Sequence, residues 1–130
     1  MDKLKHLAVR DLMTTSVISV RPGTTVHEAQ EEMHVADIRH LPVVDERQRL
    51  VGILSDRDLL RAAGRRTVAE IMTRDVVSVT PDTPARTAAA EMLGNKIGAL
   101  PVLGEDFELV GLVTETDFLR IALHALGGAS

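Results

Sequence analysis

Two short segments carry the side chains best suited to holding a polar small molecule, Ser55-x-x-Asp58 and Thr114-x-x-Asp117. An ionised carboxylate only accepts hydrogen bonds, so an aspartate kept rigid on a helix first turn can grip two vicinal hydroxyls, such as those of a ribose, through paired charge-assisted bonds. The same spacing also makes a helix cap, because a hydroxyl at the N-cap and a carboxylate three residues on satisfy orphan backbone N–H groups without any ligand. Both readings stand at this level. Cationic donors accompany only one of the two segments. Arg39-His40 precede one Leu-Pro-Val, and Arg39 can form a bidentate pair with a phosphate, whereas Gly98-Ala99 precede the other and offer only backbone and room. Arg57, inside the first Ser-x-x-Asp, reads equally as a second phosphate donor or as a solvated helix-surface charge, and Thr116 replaces it in the second.

Other chemistries find little support. The 130-residue chain has no cysteine, which removes disulfides, thiolate metal ligands and thiol nucleophiles together. No nucleophile stands beside a base with an orienting partner, so no catalytic residue is assigned and an enzyme is not expected. His27 and His34 lie seven residues apart on one predicted helix without a carboxylate partner, and they read as surface residues; no metal site is expected. A net charge of −4 with only Phe107 and Phe118 as aromatics argues against nucleic acid, which needs phosphate-tracking charge and stacking rings. With 45% hydrophobic and 26% charged residues the composition is that of one globular domain. No apolar run is long enough to cross a bilayer, and the first residues, broken by Arg10 and Asp11, lack the apolar core of a secretory signal. A cytoplasmic protein without membrane contact is expected.

The elements that must position Asp58 and Asp117 come from a duplication. A shift of 59 positions aligns residues 9–61 with 68–120 without a gap, and 22 of the 53 positions are identical. A long period present only twice argues for a pseudo-symmetric pair rather than a solenoid, which needs more units to bury its faces. Each repeat predicts a strand at Val17–Val20 or Val76–Val79, then Pro-Gly-Thr or Pro-Asp-Thr punctuation and a helix over 25–36 or 84–95. Thr25-x-x-Glu28 fits a capping box, and Pro84 fits the first helical position after Thr83 as N-cap. Two apolar runs follow, Leu41–Val44 and Leu50–Leu54 in the first repeat, joined by a polar turn as in paired strands. A second helix starts at Ser55, with Asp56 and Asp58 in its first turn, and is expected to stop near Gly64. Met33 and Met92 read as core, and Met13 and Met72 as packing residues ahead of the first strand.

A tandem βαββα unit with Met-Thr at 13–14 and 72–73, Leu-Pro-Val at 41–43 and 100–102, and Gly-x-x-Ser/Thr-x-x-Asp at 52–58 and 111–117 resembles the CBS domain pair, often called a Bateman module, in a stand-alone form. The likeness covers nearly the whole chain. It implies an α+β fold in which two CBS units, 7–63 and 66–124, pack as one pseudo-twofold module. It further implies two clefts between the units for an adenosine-containing ligand: AMP, ADP or ATP first, with S-adenosylmethionine or NAD(H) as alternatives. The first site implied is Val17, Ile18, Ile38 and Pro42 about the adenine, Arg39, His40 and Arg57 toward phosphate, and Ser55 with Asp58 at the ribose. The second is Val76, Val77, Ile97 and Pro101, with Gly98, Ala99, Thr114 and Asp117.

No cofactor is expected beyond an adenine nucleotide as regulatory ligand, with Mg2+ admitted as its companion. The partners implied are that small molecule, a second copy of the chain in a homodimer, and an unidentified downstream protein. The alternative is an interaction module that dimerises without ligand; an enzyme ranks below both. Because the repeats differ at Arg39-His40 against Gly98-Ala99, the two sites are expected to be unequal. The site at Asp58 should prefer the phosphorylated ligand, and that at Asp117 should be weaker, empty or suited to a less anionic adenosine compound.

Overall fold

The computed structural model describes residues 2–128. After a short α1 (Asp2–Lys5), the first repeat forms α2 (Val26–Ala36), β1 (His40–Val44), β2 (Leu50–Ser55) and α3 (Asp56–Leu59). The second forms α4 (Ala85–Asn95), β3 (Ala99–Leu103), β4 (Leu109–Thr114) and α5 (Glu115–Ala125). The α+β class is therefore as expected, with mixed helices and two small sheets. α2 starts where Thr25 Oγ1 accepts the Glu28 N–H at 3.0 Å, and it turns Ala29 and Met33 into the core. β1 and β2 pair antiparallel, with His40 opposite Ser55 and Pro42 opposite Ile53. Their turn is fastened by Asp45, whose Oδ1 accepts the N–H groups of Arg47 at 2.8 Å and Arg49 at 3.0 Å.

The strands expected at Val17–Val20 and Val76–Val79 are a correction: each shrinks to a single parallel bridge, Val20 with Val43 and Val79 with Val102. Proline explains the limit. Val20 donates to Pro42 O at 3.0 Å and accepts from the Val44 N–H at 2.9 Å. The next rung on one side would need the N–H that Pro42 lacks, and the next on the other side that of Pro22. Pro101 and Pro81 impose the same limit about Val79.

The chain forms two compact units that cut across the repeats. The Asp58 unit comprises Ile18–Val76 and Glu105–Leu109; the Asp117 unit comprises the chain up to Val17, Val77–Gly104, and the chain from Val110 onward. The segment that leads into each repeat thus belongs with the body of the other. In the Asp58 unit, Val68 N–H donates to Thr24 O at 2.8 Å, and Ile53 and Thr73 exchange two backbone bonds of 2.9 Å at the outer edge of β2. In the Asp117 unit, Val9 N–H donates to Thr83 O at 2.8 Å, and Thr14 and Leu112 exchange bonds of 2.9 and 3.0 Å. The cores follow suit. Val20, Ala29, Met33, Leu41, Val43, Leu54, Val68 and Met72 form one, and Val79, Ala88, Met92, Leu100, Val102, Val113 and Val9 form the other, with Met13 packed against it.

This exchange explains the paired Met-Thr and glycine. A Cβ on Gly52 would lie 2.7 Å from Met72 Sδ and 3.0 Å from Thr73 O, and one on Gly111 would lie 2.7 Å from Met13 Sδ and 3.1 Å from Thr14 O. Only glycine lets the exchanged segment lie this close to the strand.

Two helix ends also differ from expectation. Pro84 is the N-cap of α4 rather than its first residue, in the place Thr25 holds for α2, while Thr83 Oγ1 accepts the Thr80 N–H at 3.0 Å. The helix after Ser55 stops at Leu59, well short of Gly64, whereas its counterpart α5 runs to Ala125. Leu59 and Phe118 both pack on their cores, but a turn later α3 would present only Ala62 where α5 presents the half-buried Ile121. Little apolar surface remains to hold a longer α3.

Candidate functional site

The corner where β2 passes into α3 gathers most of the expected polar residues of the Asp58 unit. Ser55 is the N-cap of α3, and its N–H and Oγ–H donate to Asp58 Oδ2 at 2.7 and 3.0 Å, while Ser55 Oγ accepts the Asp58 N–H at 3.3 Å. The helix-cap reading is thus realised. It leaves the carboxylate, only 5% exposed, fixed at the corner with Oδ1 directed to Arg61, whose Nη2 donates at 2.7 Å. Arg39 is tied to the same corner by its backbone, since its O accepts the Asp56 N–H at 3.0 Å, and His40 faces Ser55 across the hairpin. Arg39 and Arg57 are exposed, and among the described residues neither forms an ion pair. A fixed carboxylate that Arg61 already engages and two guanidinium groups without ion pairs therefore share one corner, and acceptors and cationic donors of these kinds are what a phosphorylated sugar requires.

The Asp117 unit repeats the corner without the cations. Thr114 N–H donates to Asp117 Oδ2 at 2.8 Å and its Oγ1 more loosely at 3.4 Å, and Gly98 O accepts the Glu115 N–H at 3.1 Å. Asp117 is half-buried, Ala99 is buried, and Thr116 is exposed.

The apolar residues divide by unit. Ile18 is 40% exposed, Ile38 packs half-buried on its core, and Pro42 is fully buried. In the other unit Val77 and Ile97 pack half-buried on the core, and Pro101 is fully buried. Val17 and Val76, both half-buried, fall in the Asp117 and Asp58 units respectively, away from the repeats that supply them. His27 and His34 are exposed on α2, and among the described residues no group of three or more His, Asp or Glu is placed to hold a metal. The residue that sequence reasoning passed over is Arg61. Its place three residues after Asp58 does not single it out, because Arg120 follows Asp117 at the same spacing and forms no ion pair among the described residues.

Known proteins give this geometry a context. The sequence profile of the CBS domain matches residues 9–65 and 68–124. A CBS domain pair crystallised with methylthioadenosine and S-adenosyl-L-methionine superposes with a TM-score of 0.87 at 31% identity, covering 92% of this chain and 98% of that one. A second, CBSX2 in complex with AMP, superposes with a TM-score of 0.84 at 31% identity and covers 92% and 98%. The homoserine O-acetyltransferase of Methanohalobium evestigatum is 34% identical over 120 residues, which are 91% of this chain but 24% of that protein. The chain thus spans about a quarter of the length of the curated homoserine O-acetyltransferases it matches.

Proposed function

The chain belongs to the CBS domain family, and from that premise we propose that it is a regulatory module that holds an adenosine-containing ligand at the Asp58 corner and another at the Asp117 corner. One observation carries the reading: both repeats fix a carboxylate at the point where a strand enters a helix, and one of these, 5% exposed, holds Arg61, while Arg39 and Arg57 at the same corner form no ion pair among the described residues. Similar pairs hold methylthioadenosine, S-adenosyl-L-methionine and AMP. The roles follow from the chemistry. Asp58 and Asp117 receive ribose hydroxyls, Arg39, Arg57 and His40 receive phosphate, and Ile18 with Ile38, or Val77 with Ile97, flank the adenine. AMP, ADP and ATP suit the Asp58 corner; Gly98, Ala99 and Thr116 suit a less anionic adenosine compound at Asp117. Mg2+, where present, would arrive on the ligand's phosphates.

Regulation requires the ligand to bind one arrangement of the protein better than another, because equal affinity shifts nothing. The reader of that change is a downstream protein, and the module itself acts in the cytoplasm by binding rather than by catalysis. A homodimer fits an apolar groove of about 600 Å³ between α4 and α5, where Leu93 and Leu119 are exposed. The competing reading, an interaction module without ligand, draws on the caps, which already satisfy Ser55 and Thr114 internally. Absorbance separates the two. The chain has no Trp and no Tyr, so an adenine retained through purification dominates its near-ultraviolet spectrum. A thermal-shift panel of AMP, ADP, ATP, NADH and S-adenosylmethionine then identifies the ligand, and a melting temperature unmoved by every member favours the ligand-free module.

A further inference from the structure

The two carboxylates are not equally open to a ligand, and an arginine makes the difference. A carboxylate offers about four acceptor directions. Asp58 Oδ2 accepts from Ser55 N and Oγ, which fills two of them, and Oδ1 accepts from Arg61, which fills a third. A ribose diol brings two donors and finds one place. Asp117 differs: Oδ2 is held by Thr114, but among the described residues Oδ1 receives no hydrogen bond, and Arg120, at the position matching Arg61, forms no ion pair. The cause lies in the helices. α3 ends at Leu59 and the chain tightens into a turn, with Arg61 N–H on Asp58 O at 3.1 Å, whereas α5 carries Arg120 onward in regular helix.

We propose that Arg61 is a specificity-determining latch on the Asp58 corner: a ribose must lift it from the carboxylate, so the corner selects adenosine ligands that bring a negative charge to receive the released guanidinium. The proposal rests on the diol reading of Asp58. The Arg61 side chain is 75% exposed and held through a single carboxylate oxygen, so water can receive its donors when a ribose hydroxyl takes its place on the buried Asp58 Oδ1. Once lifted, it joins Arg39 and Arg57 as a third cation without a carboxylate partner at the same strand-to-helix corner. An uncharged adenosine leaves that positive charge uncompensated, while a phosphate answers it with charge-assisted bonds. Arg61 therefore disfavours ligands without phosphate more than it favours ligands with it.

Calorimetric titration of the full chain with AMP and with adenosine tests the latch. An Asp117→Ala background makes the Asp58 corner the only reporter, and Arg61→Ala and Arg61→Lys are then added. Arg61→Ala should tighten adenosine by about threefold to tenfold, the worth of one hydrogen-bond direction regained, while AMP gains less or weakens. The preference for AMP over adenosine then falls, and Arg61→Lys retains part of it. An unchanged preference overturns the latch, as does an equal loss of both ligands, which would mean that Arg61 only steadies the carboxylate. Asp58→Ala in the same background separates the two levels. If it leaves AMP binding intact, or if the Asp117→Ala protein binds neither ligand, the diol reading itself falls. If Asp58→Ala abolishes binding and Arg61→Ala changes nothing, only the latch falls.

Discussion

The exchange of leading segments can be tested through Gly52 and Met72, which stand in different repeats but in one compact unit. An alanine at Gly52 places its methyl group 2.7 Å from Met72 Sδ, 3.1 Å from Met72 Cγ and 3.0 Å from Thr73 O. Ordinary contacts between such atoms lie near 3.5 to 4.0 Å, so the segment would have to withdraw by about 1 Å. It cannot do so freely, because Thr73 is bound to Ile53 by two backbone hydrogen bonds of 2.9 Å. Overpacking of this kind costs about 1–3 kcal/mol. Met72→Ala, at a position only 9% exposed, costs about 2–5 kcal/mol by leaving a cavity. With both changes the sulfur is gone and the new methyl group partly fills its space, so the double variant should lose less than the sum by about 1–2 kcal/mol. Urea unfolding of the four proteins, followed by far-ultraviolet circular dichroism, measures the coupling. Additivity to within about 0.5 kcal/mol would refute the close approach and, with it, the placement of Met72 on the body of the first repeat.

Glu70 accepts the N–H groups of Arg66 and Thr67, each at 2.7 Å, and these bonds, that of Thr67 foremost, hold its carboxyl below the ordinary 4.5. A group depressed in the folded state lends stability above its unfolded value and loses it as pH falls through the folded one, so the melting temperature should drop as pH falls below that ordinary value, and less steeply in Glu70→Gln. Asp45, lowered chiefly by the Arg49 backbone N–H, should add to the same acid slope, which a residue-resolved NMR titration would separate. Leu119 is 67% exposed on the lining of the α4–α5 groove, so Leu119→Glu should convert a dimer to a monomer in sedimentation with little change in monomer stability. A dimer that survives that change would move the interface elsewhere.

Much of this arrangement is written in the residues themselves. The duplication, the hairpins and the caps at Thr25, Ser55 and Thr114 follow from local patterns whose physics is local, and they appear where the spacing puts them. The place of Asp58 and Asp117 in the first turn of a helix was legible for the same reason. The exchange was not. Val9 and Val68 occupy matching places in the repeat, and a match in sequence says which residues are equivalent but not which body each one packs against. The loss of the first strands was legible in principle, since Pro22 and Pro42 remove the N–H groups on either side of the Val20 bridge, but it requires knowing that Val20 lies beside β1. Arg61 was hidden because Asp58 and Asp117 share the same arginine three residues on, and only the early end of α3 brings one of the two onto its carboxylate.

Titration of AMP into the wild-type chain, Asp58→Ala and Asp117→Ala by calorimetry, with circular dichroism confirming that each variant is folded, tests the central claim most directly. Two unequal sites are expected in the wild type, with Asp58→Ala removing the tighter and Asp117→Ala the weaker. Two equal and independent sites would contradict the asymmetry of the two corners, and binding that survives both substitutions would contradict the assignment of Asp58 and Asp117 to the ribose.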